Sequence, residues 1–361
     1  MAVTLFTGFL VWRDTATSTT PDSTAPPPQG QGDPPATTTT LVEGRPTRVG
    51  YLLSRAGTMY SGTPLAANIP FAVLAEEGDG YRVMDVCNRE GFLAASDVTV
   101  GEVLIDRNGF ADAAFVIDAG HGNPDLGAVG PTRLLEGEAN VDVANRVVQL
   151  LASPHDIDWA TGQVSQGDSV PAAHTVVATR PADGPNGGDF EVGLTFRGTL
   201  ANSIDADAFV SIHHNSGPSS SLDHPGSEAY VSAFDDESAR LGALMVDELR
   251  RSFAGFDADW SGGSGEGVIA RIGSDGGDYY TVIDVAEVPA VIVEGVYISN
   301  PSEEALAKTD AFRQAYAEAV YRALVRFVTT SDNPIPEVET QNFAPSGPGR
   351  SMDDCVVPPL E

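Results

Sequence analysis

Three apolar stretches, each ending at a residue able to bind a metal or a proton, constrain this chain most strongly. Residues 115–122 read FVIDAGHG and describe a buried strand followed by a glycine-flanked turn that carries His121. Two further apolar stretches end in the same way. Residues 208–212 precede His213, and residues 290–293 precede Glu294. Because the carboxyl ends of parallel strands meet at one edge of a sheet, the three polar side chains are expected to converge there. Taken alone, the 115–122 stretch fits a lone histidine in a glycine turn equally well.

Beyond residue 111 the sequence alternates between strand and helix patterns. Helical spacing places three sets of apolar residues on inward faces: Val141, Ala144, Val148 and Leu151; Leu241, Leu244, Met245, Leu249 and Phe253; Phe312, Tyr316, Val320, Leu324 and Phe327. Asp310 is the expected cap of the last helix. This alternation over residues 111–329 predicts an α/β domain, a doubly wound and mostly parallel sheet with helices on both faces.

The segment before that domain predicts a small all-β unit. Between residues 47 and 105, short alternating segments are separated by turns, and EGDG at 77–80 is typical of a hairpin. This acidic glycine turn, the aromatic-led strand after it and EGFL at 90–93 are similar to bacterial SH3-like domains. We therefore expect a small SH3-like barrel over residues 47–105, with a β-rich linker subdomain as the alternative.

Both ends of the chain lie outside these two units. Residues 2–12 are an apolar run, shorter than the roughly 20 residues that span a bilayer. The run resembles part of an export signal or a membrane anchor, with a disordered tail as the alternative. Residues 14–40 are rich in Thr and Pro and predict a flexible tether. We expect an export or anchor segment with a disordered linker over residues 1–46, and an irregular acidic, proline-rich tail over residues 330–361.

The composition argues against some classes of partner. The 361 residues carry a formal net charge of −31 with 20 basic residues, and 42% are hydrophobic, enough for a sizeable core. Such an acidic surface repels phosphate backbones, so nucleic acid is not an expected partner. We expect a monomer outside the cytoplasm, secreted or tethered to the envelope by its amino-terminal segment.

The chain has two cysteines, Cys87 in a predicted strand and Cys355 in the tail, so it contains no CxxC motif. An exported protein meets an oxidising environment in which two thiols tend to pair, and we therefore expect a Cys87–Cys355 disulfide. Two unpaired cysteines are the alternative, because the distance between them cannot be read from the sequence.

Four blocks of sequence follow one another through residues 111–329. They are VIDAGHG at 116–122 with DLGA at 125–128; Leu135 and Glu136 followed by Asn140 and Ala144; Arg197 and AN at 201–202 leading into DAFVSIHHN at 207–215; and VPAVIVEG at 288–295 with ISNP at 298–301. Together they resemble the zinc-dependent N-acetylmuramoyl-L-alanine amidases of the amidase 3 family. The resemblance implies an amidase 3-like fold, a Zn²⁺ cofactor and peptidoglycan as the substrate.

Carried over residue by residue, the resemblance implies zinc ligands at His121, Glu136 and His213, and a catalytic glutamate at Glu294. Glu136 is preferred to Glu138 because the family's ligand lies four residues before the Asn that opens the helix, here Asn140. At a helical start the two glutamates would point about 200° apart, so only one can face the metal.

This ligand set has the chemistry of a catalytic zinc site. Two imidazoles and one carboxylate leave a fourth tetrahedral position for water. Glu294 would take the proton of that water and pass it to the leaving amine. A salt-bridged carboxylate at a strand end is the alternative for Glu294.

Neighbouring residues are expected to support the site. His214 should pack or contact substrate, because adjacent residues of a strand face opposite sides. Asp118 and Asp125 are expected to orient the ligands, and Asn300 and Arg197 to hold loops and helices in place. The remaining histidines are expected on the surface or in loops: His155, His174 and His224.

Two connections are longer than the 2–6 residues that an α/β unit needs. Residues 153–173 contain Trp159, and residues 255–266 contain Trp260. We expect these loops to rim or cover the cleft, with an exposed indole stacked on a sugar. The alternative is that each tryptophan only anchors its own loop.

The expected function is hydrolysis of the amide between N-acetylmuramic acid and L-alanine, as part of cell wall degradation. One alternative is a zinc peptidase or other amide hydrolase with a different acyl substrate. The other is a non-catalytic cell-wall-binding protein, in which an SH3-like module tethers an inactive amidase fold. The complete set of ligands and catalytic glutamate argues against the second alternative.

Overall fold

The computed structural model describes residues 45–217, 219–263, 267–343 and 355–358. In chain order the strands are β1 (Thr47–Ser54), β2 (Met59–Tyr60), β3 (Thr63–Pro64), β4 (Pro70–Glu77), β5 (Gly80–Met84), β6 (Glu90–Ala94), β7 (Val98–Leu104), β8 (Ala114–Ala119), β9 (His155–Asp158), β10 (Gln163–Gln166), β11 (Thr175–Ala178), β12 (Ala208–Asn215), β13 (Ser220–Leu222), β14 (Glu228–Val231), β15 (Trp260–Gly262), β16 (Gly267–Ile272), β17 (Ala290–Tyr297) and β18 (Glu339–Asn342). The helices are α1 (Glu136–Leu151), α2 (Leu194–Ser203), α3 (Asp236–Phe253), α4 (Thr281–Asp284), α5 (Pro301–Ala307) and α6 (Asp310–Thr329).

The expected export or anchor segment falls almost wholly on residues 1–44, which lie outside the described residues. Within the described ranges, none of the helices combines the length and apolar character that a bilayer crossing requires.

A seven-stranded mixed sheet forms the centre of the fold, in the order β11-β8-β12-β17-β14-β16-β18. Among these described strands, neighbours run parallel except β14 and β17. Strands β8, β12 and β17 are buried along nearly their whole length, because apolar residues point to both faces. The predicted mostly parallel sheet is confirmed.

Helices cover both faces of this sheet, as predicted. Helices α1, α3 and α6 pack on one face, while α2 and α4 pack on the other. All the residues predicted to face inward from α3 and α6 are buried. Helix α6 is capped by Thr309, whose hydroxyl accepts the N–H of Phe312 at 3.2 Å, so the cap lies one residue before the predicted Asp310.

The inward face of α1 differs from the prediction. Val141 and Val148 are only half-buried, whereas Val143 and Val147 are fully buried. The helix begins at Glu136, which lies on the same face as the buried residues, and this sets the rotation of the whole helix.

The amino-terminal strands form a five-stranded antiparallel sheet in the order β6-β5-β4-β1-β7. Strands β4 and β5 pair from Glu77 to Gly80 around the predicted hairpin turn. The apolar side of this sheet joins the core beneath α2, where Phe71 and Val83 belong to one cluster with Phe196. The observed strands agree with an all-β segment, and the SH3-like assignment stays a prediction.

The expectation of an irregular tail over residues 330–361 is wrong in part. Strand β18 pairs in parallel with β16 at the edge of the central sheet. Its sequence, ETQN, has no apolar alternation, so the strand depends on backbone pairing and periodicity cannot reveal it.

The tail is also joined covalently to the amino-terminal sheet. Cys87 and Cys355 form a disulfide, with Cα atoms 5.6 Å apart and a sequence separation of 268, which confirms the predicted pairing. Cys87 lies in the turn after β5 rather than within a strand. Both cysteines are buried, and the N–H of Ala66 donates to the carbonyl of Pro358 at 3.3 Å.

Glu304 of α5 fixes the loop that leads into α1. Its carboxylate accepts the N–H of Thr132 at 2.8 Å and that of Leu134 at 3.0 Å, and Lys308 pairs with it at 3.2 Å. Burial acts to raise the pKa of Glu304, but the hydrogen bonds outweigh it and lower the pKa to about 2.

We predict that removing the disulfide destabilises the fold without changing it. The double variant Cys87→Ser/Cys355→Ser should show a lower Tm, because the closed loop restricts the unfolded chain. The chain-entropy model gives about 4.7 kcal/mol for a 100-residue loop and slightly more for the longer loop closed here. Thermal unfolding with and without reductant measures this. Reductant should lower the Tm of the wild type and leave that of the double variant unchanged. A wild-type Tm insensitive to complete reduction would contradict the prediction.

A second prediction concerns Glu304→Gln and its dependence on pH. Since the folded pKa is depressed from the usual value of about 4.3, the ionised carboxylate stabilises the fold fully above that pH and progressively less toward pH 2. Glu304→Gln should therefore lower the Tm at pH 7, and the difference from wild type should shrink as the pH falls from 5 to 3. The exposed Glu138→Gln is the control. A Tm difference that does not vary with pH would rule out this linkage.

Candidate active site

His121 is presented by the turn after β8. Its backbone φ of 66° is in the left-handed region, which few residues with a side chain adopt. Gly120 serves the close approach of a second histidine, because a Cβ atom there would lie 2.1 Å from Nε2 of His213. The two imidazole centroids are 4.9 Å apart.

Glu136 brings a carboxylate to these two histidines. Its Oε1 lies 3.0 Å from Nε2 of His121 and 2.9 Å from Nδ1 of His213. Its Oε2 accepts the N–H of Ala128 at 2.8 Å. The Glu136 side chain is buried, whereas Glu138 points to solvent, so only one of the two candidate glutamates reaches the histidines.

The donor atoms of this cluster suit a metal. One possible ligand atom from each of His121, Glu136 and His213 lies within 4.8 Å of the other two. Nδ1 of His121 contacts Oδ2 of Asp125 at 2.9 Å, which turns Nε2 toward Glu136. A carboxylate on the far nitrogen is the usual way to orient a metal-binding histidine. Asp125 therefore occupies the orienting position predicted for it.

The charges within the cluster support one another. Burial acts to lower the pKa of His121, but hydrogen bonds with Asp125 and Glu136 outweigh it and raise the pKa to about 9. Burial disfavours the ionised form of Glu136, yet the contacts with both histidines hold its pKa well below its usual range. Glu136 is therefore ionised, as a metal ligand must be.

Glu294 lies at the same edge of the sheet, because β12 and β17 pair with His213 opposite it. Its Oε2 is buried and has no hydrogen-bond partner among the described residues. Burial raises the pKa of Glu294 well above its usual range, and the negative charges of Glu136 and Glu228 add to that effect. The site thus contains a carboxyl group of high proton affinity with one uncommitted oxygen.

Glu228 is a second buried carboxyl that the sequence analysis missed. It opens β14 and lies directly opposite Glu294 in the antiparallel pair. Its oxygens accept four hydrogen bonds: from the hydroxyls of Tyr230 (2.7 Å) and Tyr297 (2.7 Å), the side-chain amide of Asn215 (2.9 Å) and the N–H of Gly263 (3.2 Å). The sequence signal was available, since a glutamate at the head of a buried EAYV strand needs several donors.

Arg197 fixes the turn that carries His121. Its guanidinium pairs with Asp118 at 2.9 Å and donates to the carbonyl of His121 at 2.9 Å. Asp118 also accepts hydrogen bonds from the hydroxyls of Thr179 and Ser211. Asp118 thus acts on the turn that carries His121 through Arg197, so its part in orienting that ligand is indirect.

Arg180 is another residue that sequence reasoning missed. Its buried guanidinium donates to four carbonyls, those of Ala119 at 3.0 Å, Gly120 at 2.7 Å, Gly188 at 3.0 Å and Gly137 at 3.4 Å. Burial lowers the pKa of Arg180 to about 10. It is a single arginine after a short strand, and no spacing in the sequence connects it with the glycine turn that it supports.

The other predicted supporting residues behave in different ways. His214 packs against Tyr316, and its Nδ1 contacts Oδ1 of Asn140 at 2.8 Å, so it faces away from the cluster as predicted. Asn300 caps α5 by accepting the N–H of Ser302 at 2.9 Å, which agrees with a structural role.

The remaining histidines match their prediction only in part. His224 is a half-buried loop residue, whereas His155 begins β9, half-buried and with its ring against Tyr321, and so lies in a strand rather than in a loop. His174 also lies in a loop but is buried, because the chain passes beneath the end of α1, where the N–H of Ala173 donates to the carbonyl of Leu151.

The expected tryptophan contacts with sugar are not supported. Trp159 is exposed at the tip of the β9–β10 hairpin, which follows the end of α1 opposite to Glu136. Trp260 lies on β15 and is 7% exposed within the core, so no indole face is open. Of these two connections, the described part of 255–266 contacts a residue of the site, since the N–H of Gly263 donates to Glu228. The length of a loop does not indicate at which edge of the sheet the loop lies.

A cavity of about 510 Å³ opens beside the cluster. Its walls include His121, His213, Glu294, Leu194, Thr281 and, from the amino-terminal sheet, Asn88. A substrate group placed there would contact the two histidines and the uncommitted carboxyl together.

The chain matches a protein-family model, Amidase_3, described as N-acetylmuramoyl-L-alanine amidase, over residues 115–326. It is 27% identical to the germination-specific N-acetylmuramoyl-L-alanine amidase of Bacillus subtilis over 60% of this chain and 81% of that protein. It is also 27% identical to the amidase LytC of the same species, over 61% of this chain but only 36% of LytC. An N-acetylmuramoyl-L-alanine amidase of Mycobacterium tuberculosis is 25% identical over 66% of this chain and 95% of that protein.

Among solved structures, an N-acetylmuramoyl-L-alanine amidase from Clostridium difficile aligns with a TM-score of 0.44 and 22% identity, over 61% of this chain and 99% of that one. The matched residues 115–326 contain the histidine and glutamate cluster, both of its buried arginines and Glu294. This chain belongs to the Amidase_3 family of N-acetylmuramoyl-L-alanine amidases.

Proposed function

We propose that this protein is a zinc-dependent N-acetylmuramoyl-L-alanine amidase, which hydrolyses the amide between the lactyl group of N-acetylmuramic acid and L-alanine in peptidoglycan. The observation that carries the proposal is the convergence of three potential metal ligands and an uncommitted buried carboxyl at one sheet edge. Family membership supports peptidoglycan as the substrate. A wall substrate in turn favours a location outside the cytoplasm, secreted or anchored to the envelope.

His121, Glu136 and His213 would hold the zinc ion. The set fits because two nitrogen donors and an ionised carboxylate already face one another, and three protein ligands leave a position open. A bound Zn²⁺ is a Lewis acid that polarises a carbonyl and makes water more acidic. Asp125, Arg197 and Arg180 would keep the ligands from shifting when substrate enters.

Glu294 would carry the proton through the reaction. Its carboxylate accepts a proton from the attacking water, and then donates that proton to the amino group of L-alanine as the amide bond breaks. Burial and the nearby charges of Glu136 and Glu228 raise its proton affinity, which makes it an effective base. Its uncommitted Oε2 gives the proton a place to go without breaking an existing hydrogen bond.

The proposed zinc site predicts that substitutions of Glu136 and Glu138 have different effects on zinc binding. Glu136→Gln should lose most of its bound zinc, because the amide is a weak ligand, while Glu138→Gln should retain it and change the unfolding free energy by only a few tenths of a kcal/mol. Zinc content per folded protein can be measured by mass spectrometry after dialysis, with circular dichroism as the check on folding. Zinc loss in Glu138→Gln, or retention in Glu136→Gln, would contradict the assignment.

The reaction itself can be tested by digesting purified peptidoglycan. The wild type should release amino groups of L-alanine without producing new reducing sugar ends. Glu294→Gln should bind zinc normally but turn over about 10²–10⁴-fold more slowly, the contribution of general acid–base catalysis.

The same digestion distinguishes the alternatives. New amino groups on residues other than L-alanine would indicate a peptidase with another acyl substrate. Binding to the wall without any release would indicate a non-catalytic protein. Full turnover by Glu294→Gln would contradict the role proposed for that residue.

A further inference from the structure

The turn between β5 and β6, residues 85–89, contacts the amino-terminal end of α2. The side-chain oxygen of Asn88 accepts the N–H of Phe196 at 2.8 Å, and the carbonyl of Val86 accepts the N–H of Gly193 at 2.7 Å. Asn88 and Phe196 are 108 residues apart in sequence. The first turn of α2 is therefore bonded to a distant part of the chain.

Helix α2 has no capping side chain of its own. The first amides of any helix lack partners within the helix, and the preceding side chain usually accepts one of their hydrogens. Here the preceding residue is Gly193, which has no side chain to offer. Asn88 supplies the missing acceptor to the third residue of the helix, the amide that a cap residue usually reaches.

Gly193 is explained by the same contact. Its φ of −66° and ψ of 144° are accessible to any residue, so the backbone does not require glycine there. A Cβ atom at this position would lie 2.1 Å from the side-chain oxygen of Asn88 and 2.4 Å from the adjoining carbon. The missing Cβ leaves the space that the Asn88 side chain occupies.

The turn that holds Asn88 is itself restrained. Asn88 has a φ of 61°, which asparagine tolerates better than most residues. Asp85 accepts the N–H groups of Cys87 at 2.8 Å and Arg89 at 3.0 Å. The neighbouring Cys87 is linked to Cys355. Hydrogen bonds and a covalent link thus fix the turn on both sides of Asn88.

We infer that Asn88 is a positioning residue of the active site, through which the amino-terminal sheet holds the first turn of α2 in place as a wall of the substrate cleft. Asn88, Leu194 and Thr195 line the cavity beside Glu294. Arg197, one residue beyond Phe196, binds the carbonyl of His121. Loosening the first turn of α2 displaces first the cleft wall formed by Leu194 and Thr195, and then the contact between Arg197 and the carbonyl of His121. The effect on catalysis rests on the proposed amidase function.

Three variants separate this role from general stability. Asn88→Gly keeps the backbone conformation but removes the oxygen that accepts the N–H of Phe196. Asn88→Asp keeps the backbone conformation and an acceptor oxygen. Asn68→Gly is the matched control, because Asn68 lies in the turn before β4 of the same sheet, has the same φ of 61° and donates a hydrogen bond to Asp183 at 3.0 Å. On soluble peptidoglycan fragments, Asn88→Gly should lower kcat/KM about two- to thirtyfold, the range expected for loss of a helix cap, mainly through a higher KM. The kcat/KM of Asn88→Asp should equal that of wild type, and the kcat/KM of Asn68→Gly should stay within twofold of wild type.

A double-mutant cycle with Gly193→Ala tests the contact itself. In the wild-type background the added methyl group displaces the Asn88 side chain, so Gly193→Ala should reproduce the defect of Asn88→Gly. In the Asn88→Gly background the space is free, and Gly193→Ala should cause no further loss. Additive losses would contradict the inference.

Hydrogen exchange keeps this test independent of activity. Amides at the start of α2 should exchange faster in Asn88→Gly than in wild type, and at the wild-type rate in Asn68→Gly and Asn88→Asp. If the wild type does not cleave peptidoglycan, the proposed function fails. The exchange rates of the α2 amides then show by themselves whether Asn88 caps the helix. If the wild type is active and Asn88→Gly matches it in KM and in exchange, the positioning role is wrong while the proposed function stands.

Discussion

The site depends on one buried carboxylate shared between two imidazoles. Removing the Glu136 carboxylate from water costs several kcal/mol unless charges and hydrogen bonds replace the lost hydration. His121, His213 and the N–H of Ala128 provide that replacement, all within 3.0 Å of its oxygens. These groups come from the turn after β8, the end of β12 and the loop before α1. The carboxylate is therefore stable in its ionised form only if three separate segments are fixed together, and much of the surrounding structure does this.

Two buried arginines hold the least regular of those segments. The turn after β8 departs from strand geometry, because His121 has a positive φ, and the carbonyls of Ala119 and Gly120 accept hydrogen bonds from buried side chains. Arg180 and Arg197 bind these carbonyls and that of His121. Arg197 forms an ion pair with Asp118, whereas burial and the positive charge of Arg197 lower the pKa of Arg180 to about 10. Guanidinium suits this role, because its five donors form a rigid fork and it remains charged even when its pKa falls this far.

The sequence predicts the part of this arrangement that follows from periodicity. Apolar runs ending at His121, His213 and Glu294 predict both the parallel sheet and the edge where the residues meet. Which residues face one another on neighbouring strands cannot be predicted from the periodicity of apolar residues. Glu228 faces Glu294 only because β14 joins the sheet antiparallel, and its four donors come from four different segments. Trp260 is buried and Trp159 lies at the far end of α1, since loop length says nothing about the edge to which a loop belongs. Strand β18 has no apolar pattern at all.

Several residues that support the site lie outside residues 115–326, the segment that the family model covers. Asn88 and Cys87 precede that segment, while β18 and Cys355 follow it. Yet Asn88 lines the cavity beside Glu294, and the core beneath α2 includes residues of the amino-terminal sheet. A sheet that only tethered the enzyme would need no such shared core, since separate domains usually meet through smaller and more polar contacts. The residues of the His121, Glu136 and His213 cluster and Glu294 therefore lie within the segment that matches the family, while the shape of the cleft also depends on Asn88 outside that segment.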